Sequence, residues 1–210
     1  MVDLMKIKAV VFDCDGVLFD TAAANRKYFD EVLSIFGKEP LNEEQFVNVH
    51  MMTVKGAIAY LFPEMDDLTI VYDRLKIIGY HKFIEFMHME DGLVDLLTDL
   101  KKHGYIRGIA TNRTNTMEDV LKIFDLESYF EMVVTAAMVQ NPKPDPEQLK
   151  MIMDRFGLTA DQILFIGDSD FDRQAAARSN VGFIAFKAPD LAADWNVDSM
   201  DEIAGILNIN

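Results

Sequence analysis

Five strand-length apolar runs, each separated from the next by residues of helical spacing, constrain this chain more than any other feature. They are IKAVVF (7–12), YIRGIAT (105–111), MVVT (132–135), ILFIGD (163–168) and GFIAF (182–186). Between them, DGLVDLLTDLKKHG (91–104) reads as an amphipathic helix closed by Gly104. Further helices are expected over about 115–124, over 146–156 with Gly157 behind it, and over 171–179, with a last one in DSMDEIAGIL (198–207). Strands that alternate with helices bury both faces of a parallel sheet, so the expected fold is α/β, a doubly wound parallel sheet.

One interval breaks the alternation. From about 17 to 88 the spacing is helical throughout, with a stripe of Tyr28, Phe29, Val32, Leu33 and Phe36 closed by Gly37, then helices near 43–50, 54–62 and 67–88. This block reads as a helical domain (17–88) inserted after the first strand of a sheet domain built from 1–16 and 89–210.

The chain carries 35 acidic against 20 basic residues, a net charge of −15. Such a balance argues against nucleic-acid or anionic-membrane partners, while a small phosphorylated ligand stays compatible if a metal and a few cations receive it. The single cysteine excludes an internal disulfide and suits a reducing cytosol. MVDLMKIKAVVFD has too short an apolar core for a spanning helix, and is read as neither signal peptide nor anchor. Cytoplasmic localisation follows as an expectation, as does a monomer or small homo-oligomer.

Ligands in open α/β sheets bind beyond the carboxyl ends of the strands. The first strand ends in Asp13 and Asp15, whose side chains alternate onto one side while Cys14 turns into the core. Two like charges that close raise each other's pKa unless a cation compensates. The second run ends in Thr111, Asn112 and Arg113. The stretch after the third brings Lys143 between two prolines, and the fourth ends in Asp168, with Asp170 and Asp172 behind it. Carboxylates, a hydroxyl, an amide and one lysine on a single rim suit Mg²⁺, a hard cation that takes about six oxygens, together with a phosphate.

These four segments resemble the motifs of the haloacid dehalogenase-like (HAD) hydrolase superfamily. Its DxDG motif stands as Asp13-Cys14-Asp15-Gly16, its Ser/Thr motif as Thr111-Asn112, its lysine motif as Lys143 in NPKPDP, and its acidic motif as GDSDFD. The helical insert is similar to the small cap of the phosphoglycolate phosphatase and β-phosphoglucomutase branch. The resemblance implies that Asp13 is a nucleophile forming an aspartyl phosphate and Asp15 the acid/base for both half-reactions. It implies phosphate contacts from Thr111, Asn112 and Lys143, and Mg²⁺ held by Asp13, Asp168 and the main-chain carbonyl of Asp15. Asp172 would be a further ligand or would orient the others. A Mg²⁺-dependent phosphatase acting on a small phosphorylated metabolite is the implied activity.

Sugar-phosphate mutase is the alternative, since DGVLFDTA resembles the mutase hinge. Mutases carry a histidine four residues after the hinge threonine, where Asn25 follows Thr21 here. Arg113 reads either as a leaving-group contact or as a solvated helix start. His81 and His88, seven apart in an expected helix, would share a face but have no third ligand. The methionines of FIEFMHME read as core filler, and no GxGxxG or P-loop pattern is present.

Overall fold

The computed structural model describes residues 2–50 and 52–209. The chain divides into two compact units, one formed by the residues up to Asp20 and from His88 onward, the other spanning Thr21–Met87.

The first unit holds a six-stranded sheet. Its strands are β1 (Ala9–Phe12), β4 (Ile106–Thr111), β5 (Met132–Thr135), β6 (Ile163–Gly167), β7 (Gly182–Phe186) and β8 (Trp195–Val197). A separate two-residue ribbon pairs β2 (Phe19–Asp20) with β3 (His88–Met89) in antiparallel register. In the main sheet the order is β5-β4-β1-β6-β7-β8 and every pairing is parallel. The order reverses at β1, which puts the carboxyl ends of β1, β4 and β6 side by side at the switch point, where such folds bind ligands.

The Thr21–Met87 unit contains α1 (Ala22–Ile35), α2 (Glu43–His50), α3 (Val54–Leu61) and α4 (Thr69–Ile78), followed by a 3-10 turn at His81–Phe86. The predicted stripe on α1 is buried at Tyr28, Phe29, Val32 and Leu33. Tyr28 meets Tyr80 and Phe83 edge-on within this unit. The expected continuous helix over 67–88 is corrected: Gly79, at φ +62°, ends α4, and His88 belongs to β3. His81 and His88 therefore share no helix face, and the hint of a metal pair there is withdrawn.

In the first unit, α5 (Leu93–Lys102), α6 (Met117–Ile123), α7 (Glu147–Phe156), α8 (Asp170–Ser179) and α9 (Met200–Leu207) flank the sheet. Period-2 alternation divides β1 between two cores. Ala9 and Val11 join Phe165, Phe183, Leu149, Ile152, Ala175 and Ala176 beneath α7 and α8. Val10 and Phe12 turn to the other face. α5 buries Leu93, Leu96, Leu97 and Leu100, an i, i+3, i+4, i+7 stripe, and packs with α9. Burying a side chain such as Phe165 completely is worth about 1.5–3 kcal/mol, so the two cores hold the strand ends rigidly. Two features escape the sequence reading, β8 and the β2–β3 ribbon. Strands of three and two residues give no measurable alternation. No helix among the described residues is long and apolar enough to cross a membrane.

Candidate active site

The β1 ladder carries one step beyond Phe12, because the Asp13 N–H donates to the Ile166 carbonyl at 2.8 Å. This fixes Asp13 at the sheet edge, 8% exposed. The chain then turns at Gly16, where φ is +77° and a Cβ would lie 2.0 Å from Asp168 Oδ2. Only glycine lets the β1 loop lie against Asp168. Gly167 plays the matching part on β6, since a Cβ there would overlap Asp172 Cβ at 2.4 Å.

Lys143 is 4% exposed and reaches from the loop after β5 into this group. Its Nζ lies 2.7 Å from Asp13 Oδ1 and 2.6 Å from Asp172 Oδ1. Burial opposes its charge, but attraction to Asp13 and then Asp172, with their hydrogen bonds, outweighs it and holds the ammonium well above the usual lysine range. Asp172 is wholly buried and also caps α8: its Oδ2 accepts from the Ser169 N–H at 3.1 Å and from the Ser169 hydroxyl. Both Asp172 oxygens are thus engaged, which suits the orienting role better than the ligand role. Asp170 is exposed, bonds only within its own helix at Arg173 and Gln174, and stays outside the group.

Thr111 is 1% exposed, and its Oγ1 accepts from the Arg113 N–H at 3.2 Å. Asn112 Nδ2 donates to the Lys143 carbonyl at 3.0 Å, tying the β4 loop to the β5 loop. Asp15 pairs with Arg113 and not with Lys143. Arg113 Nε donates to its Oδ2 at 2.9 Å and Nη2 to its Oδ1 at 2.7 Å. Neither reading of Arg113 in the sequence foresaw this pairing. Gln148 was also missed. It is wholly buried at the start of α7, and its Nε2 donates to the Thr111 carbonyl at 2.7 Å.

Burial, followed by the nearby Asp13 and Asp172 carboxylates, pushes Asp168 up to about 8. Asp13 is raised to about 7, by burial first; Lys143 pulls the other way, and Asp172 and Asp15 add to the rise. Burial likewise raises the Cys14 thiol, in keeping with inert packing. One oxygen each of Asp13, Asp168 and Asp172 lie within 4.8 Å of one another. Asp13 Oδ1 is buried against the Lys143 ammonium at 2.7 Å. Three carboxylates converging this closely, with one lysine among them, form an all-oxygen donor set that fits a hard divalent cation such as Mg²⁺.

A family model described as haloacid dehalogenase-like hydrolase matches residues 10–186. Among similar proteins, the phosphoglycolate phosphatase of Salmonella typhi is 28% identical over 197 residues, covering 82% of this chain and 78% of its own. The N-acetylmuramic acid 6-phosphate phosphatase of Pseudomonas aeruginosa is 27% identical, covering 92% and 90%. A solved HAD-superfamily hydrolase of subfamily IA, variant 1, from Geobacter sulfurreducens PCA is 38% identical. It superposes with a TM-score of 0.85 over 96% of this chain and 97% of that one. The doubly wound sheet, the four motifs at its strand ends and a family match over most of the length agree: this chain belongs to the haloacid dehalogenase-like hydrolases.

Proposed function

We propose that the protein is a Mg²⁺-dependent phosphatase that hydrolyses a small phosphorylated metabolite through an aspartyl phosphate. The observation that carries this reading is Asp13, a carboxylate buried at the end of β1 with Lys143 at 2.7 Å. The names of the similar phosphatases support the same class of reaction.

In the first step an Asp13 oxygen attacks phosphorus and the P–O bond to the leaving group breaks, with the leaving oxygen taking a proton from Asp15. In the second, water attacks the same phosphorus while Asp15 takes its proton, releasing inorganic phosphate and restoring Asp13. Lys143 lies against the nucleophile and stabilises charge that develops there, with the Thr111 hydroxyl and the Asn112 segment as donors to phosphoryl oxygens. Asp13, Asp168 and the Asp15 carbonyl would hold Mg²⁺, and Asp172 would set Lys143 and the α8 terminus. When bound, the ion supplies positive charge to the phosphoryl oxygens. We assign substrate selection to the helical unit as a cap domain, and place the protein in the cytosol on its single, buried, unpaired cysteine.

Phosphoryl shuttling between sugar positions is the second reading. One observation favours it: His50 Nδ1 lies 3.4 Å from Asn25 Nδ2, so an imidazole accompanies the residue that stands where mutases place theirs. The test measures phosphate release from a panel of phosphorylated metabolites beside a coupled assay for glucose 6-phosphate formed from β-glucose 1-phosphate and a bisphosphate primer. Phosphate release should dominate, and Asp13→Asn should abolish both turnover and labelling, because an amide cannot form the acyl phosphate. Isomerisation outpacing release would replace phosphatase with mutase. Near-native turnover by Asp13→Asn would refute the covalent mechanism.

A further inference from the structure

We propose that Arg113 is the residue that positions Asp15 for proton transfer, an inference that rests on the phosphatase reading above. The guanidinium meets the Asp15 carboxylate edge-on, with Nε on one oxygen at 2.9 Å and Nη2 on the other at 2.7 Å. The remaining nitrogen, Nη1, donates to Thr116 Oγ1 at 3.0 Å. The Arg113 side chain is 8% exposed and Thr116 is 5% exposed, whereas the Asp15 side chain is 39% exposed. A rigid, buried fork therefore presents a carboxylate whose other side faces solvent, where a leaving group would arrive.

Planar two-point pairing fixes both the location and the plane of a carboxylate, which a single ammonium cannot do. Asp15 must serve twice, giving a proton to the leaving oxygen and then taking one from water. Arg113 holds the two Asp15 oxygens through two separate nitrogens. Two contacts of this kind keep the side chain in register for both steps. Arg113 is anchored at its own end: its N–H donates to Thr111 Oγ1 at 3.2 Å. One turn after β4 thus supplies a phosphate-binding hydroxyl and the support of the acid/base. Proton transfer to a leaving group matters most when that group is a poor one, which separates a positioning role from a structural one.

The test is hydrolysis of a graded series, from 2,4-dinitrophenyl phosphate to unsubstituted phenyl phosphate, by the full-length protein with Mg²⁺. Arg113→Met should lower kcat/KM for phenyl phosphate by ~10²-fold, within the range of a positioned acid/base, and for the dinitrophenyl ester by less than about threefold. The ratio is read on one sample, so the folded fraction cancels. Arg113→Lys, which keeps the charge but not the fork, should fall between wild type and Arg113→Met, and carries the same comparison if the methionine variant fails to fold. Adding Arg113→Met to Asp15→Asn should cause no further loss. Equal losses across the series, or losses that add to those of Asp15→Asn, would overturn the assignment and leave the phosphatase reading standing. A wild-type protein inactive on the whole series would overturn both.

Discussion

Without metal, this protein should lose stability as pH rises through neutrality, the reverse of what ordinary surface carboxylates give. Asp168 titrates at about 8 in the folded chain against an ordinary 3.8, chiefly because it is buried, with Asp13 and Asp172 adding to the effect. Between about pH 5 and pH 7 the folded state keeps that proton and the unfolded chain has lost it, so folding binds a proton and stability falls with pH. One such group contributes a slope of about 1.4 kcal/mol per pH unit, or about 2.7 kcal/mol across the window. Asp13, raised to about 7, acts in the same direction. Glu147, Asp161 and Asp170 are held below their usual values by hydrogen bonds, so they act oppositely and titrate beneath the window. The assay is urea unfolding in EDTA from pH 5 to pH 8 for wild type and Asp168→Asn, whose difference cancels the titration of distant groups and reports Asp168 together with its coupling to Asp13. The variant's stability should fall less steeply by about 1.4 kcal/mol per unit. Saturating Mg²⁺, at 100 times its Kd, should restore about 2.7 kcal/mol to wild type near pH 7. Identical slopes for wild type and Asp168→Asn would refute the burial argument.

Lys143→Met should cost about 3–5 kcal/mol in metal-free urea unfolding, since it leaves Asp13 and Asp172 buried without their cation, and should abolish turnover. A cost below about 1 kcal/mol would show that water or protons already compensate these carboxylates. Gln148→Leu removes the 2.7 Å donor to the Thr111 carbonyl, and with it an unpaired Oε1. It should therefore destabilise by no more than about 1–3 kcal/mol, yet weaken inhibition by inorganic phosphate as Thr111 loosens. Unchanged inhibition would mean that Gln148 serves packing alone.

The strand ends were legible because each of the four motif segments follows an apolar run long enough to show its period. Asp13, Thr111, Lys143 and Asp168 lie far apart in sequence, yet each could be placed on one rim from local patterns alone. Pairings were not legible. Asp15 and Arg113 are 98 residues apart, and a carboxylate next to a strand end looks the same whether it faces a lysine or an arginine. The Arg113 pairing was available only as the basic member of Thr111-Asn112-Arg113 at a strand end. Gln148 carried still less signal, because a polar residue early in a helix normally points to solvent. His88 was misassigned for a different reason: the helical spacing runs on through Gly79, and only its positive φ shows that the chain leaves the helix.

Charge balance at the rim joins these observations. Asp13, Asp15, Asp168 and Asp172 face two cations, Lys143 and Arg113, and the pairs are divided: Lys143 bridges Asp13 and Asp172, while Arg113 takes Asp15. Asp168 is left against Gly16 with no cation of its own among these pairs. The deficit is two charges. In the metal-free chain it falls on the two carboxyls raised into the neutral range, Asp13 and Asp168, which can each take up a proton. A divalent ion held by the same oxygens would supply those two charges in place of the protons, leaving Asp13 as the carboxylate that the proposed attack on phosphorus needs. On the proposed mechanism, deprotonation of Asp13 and binding of the ion would therefore be linked.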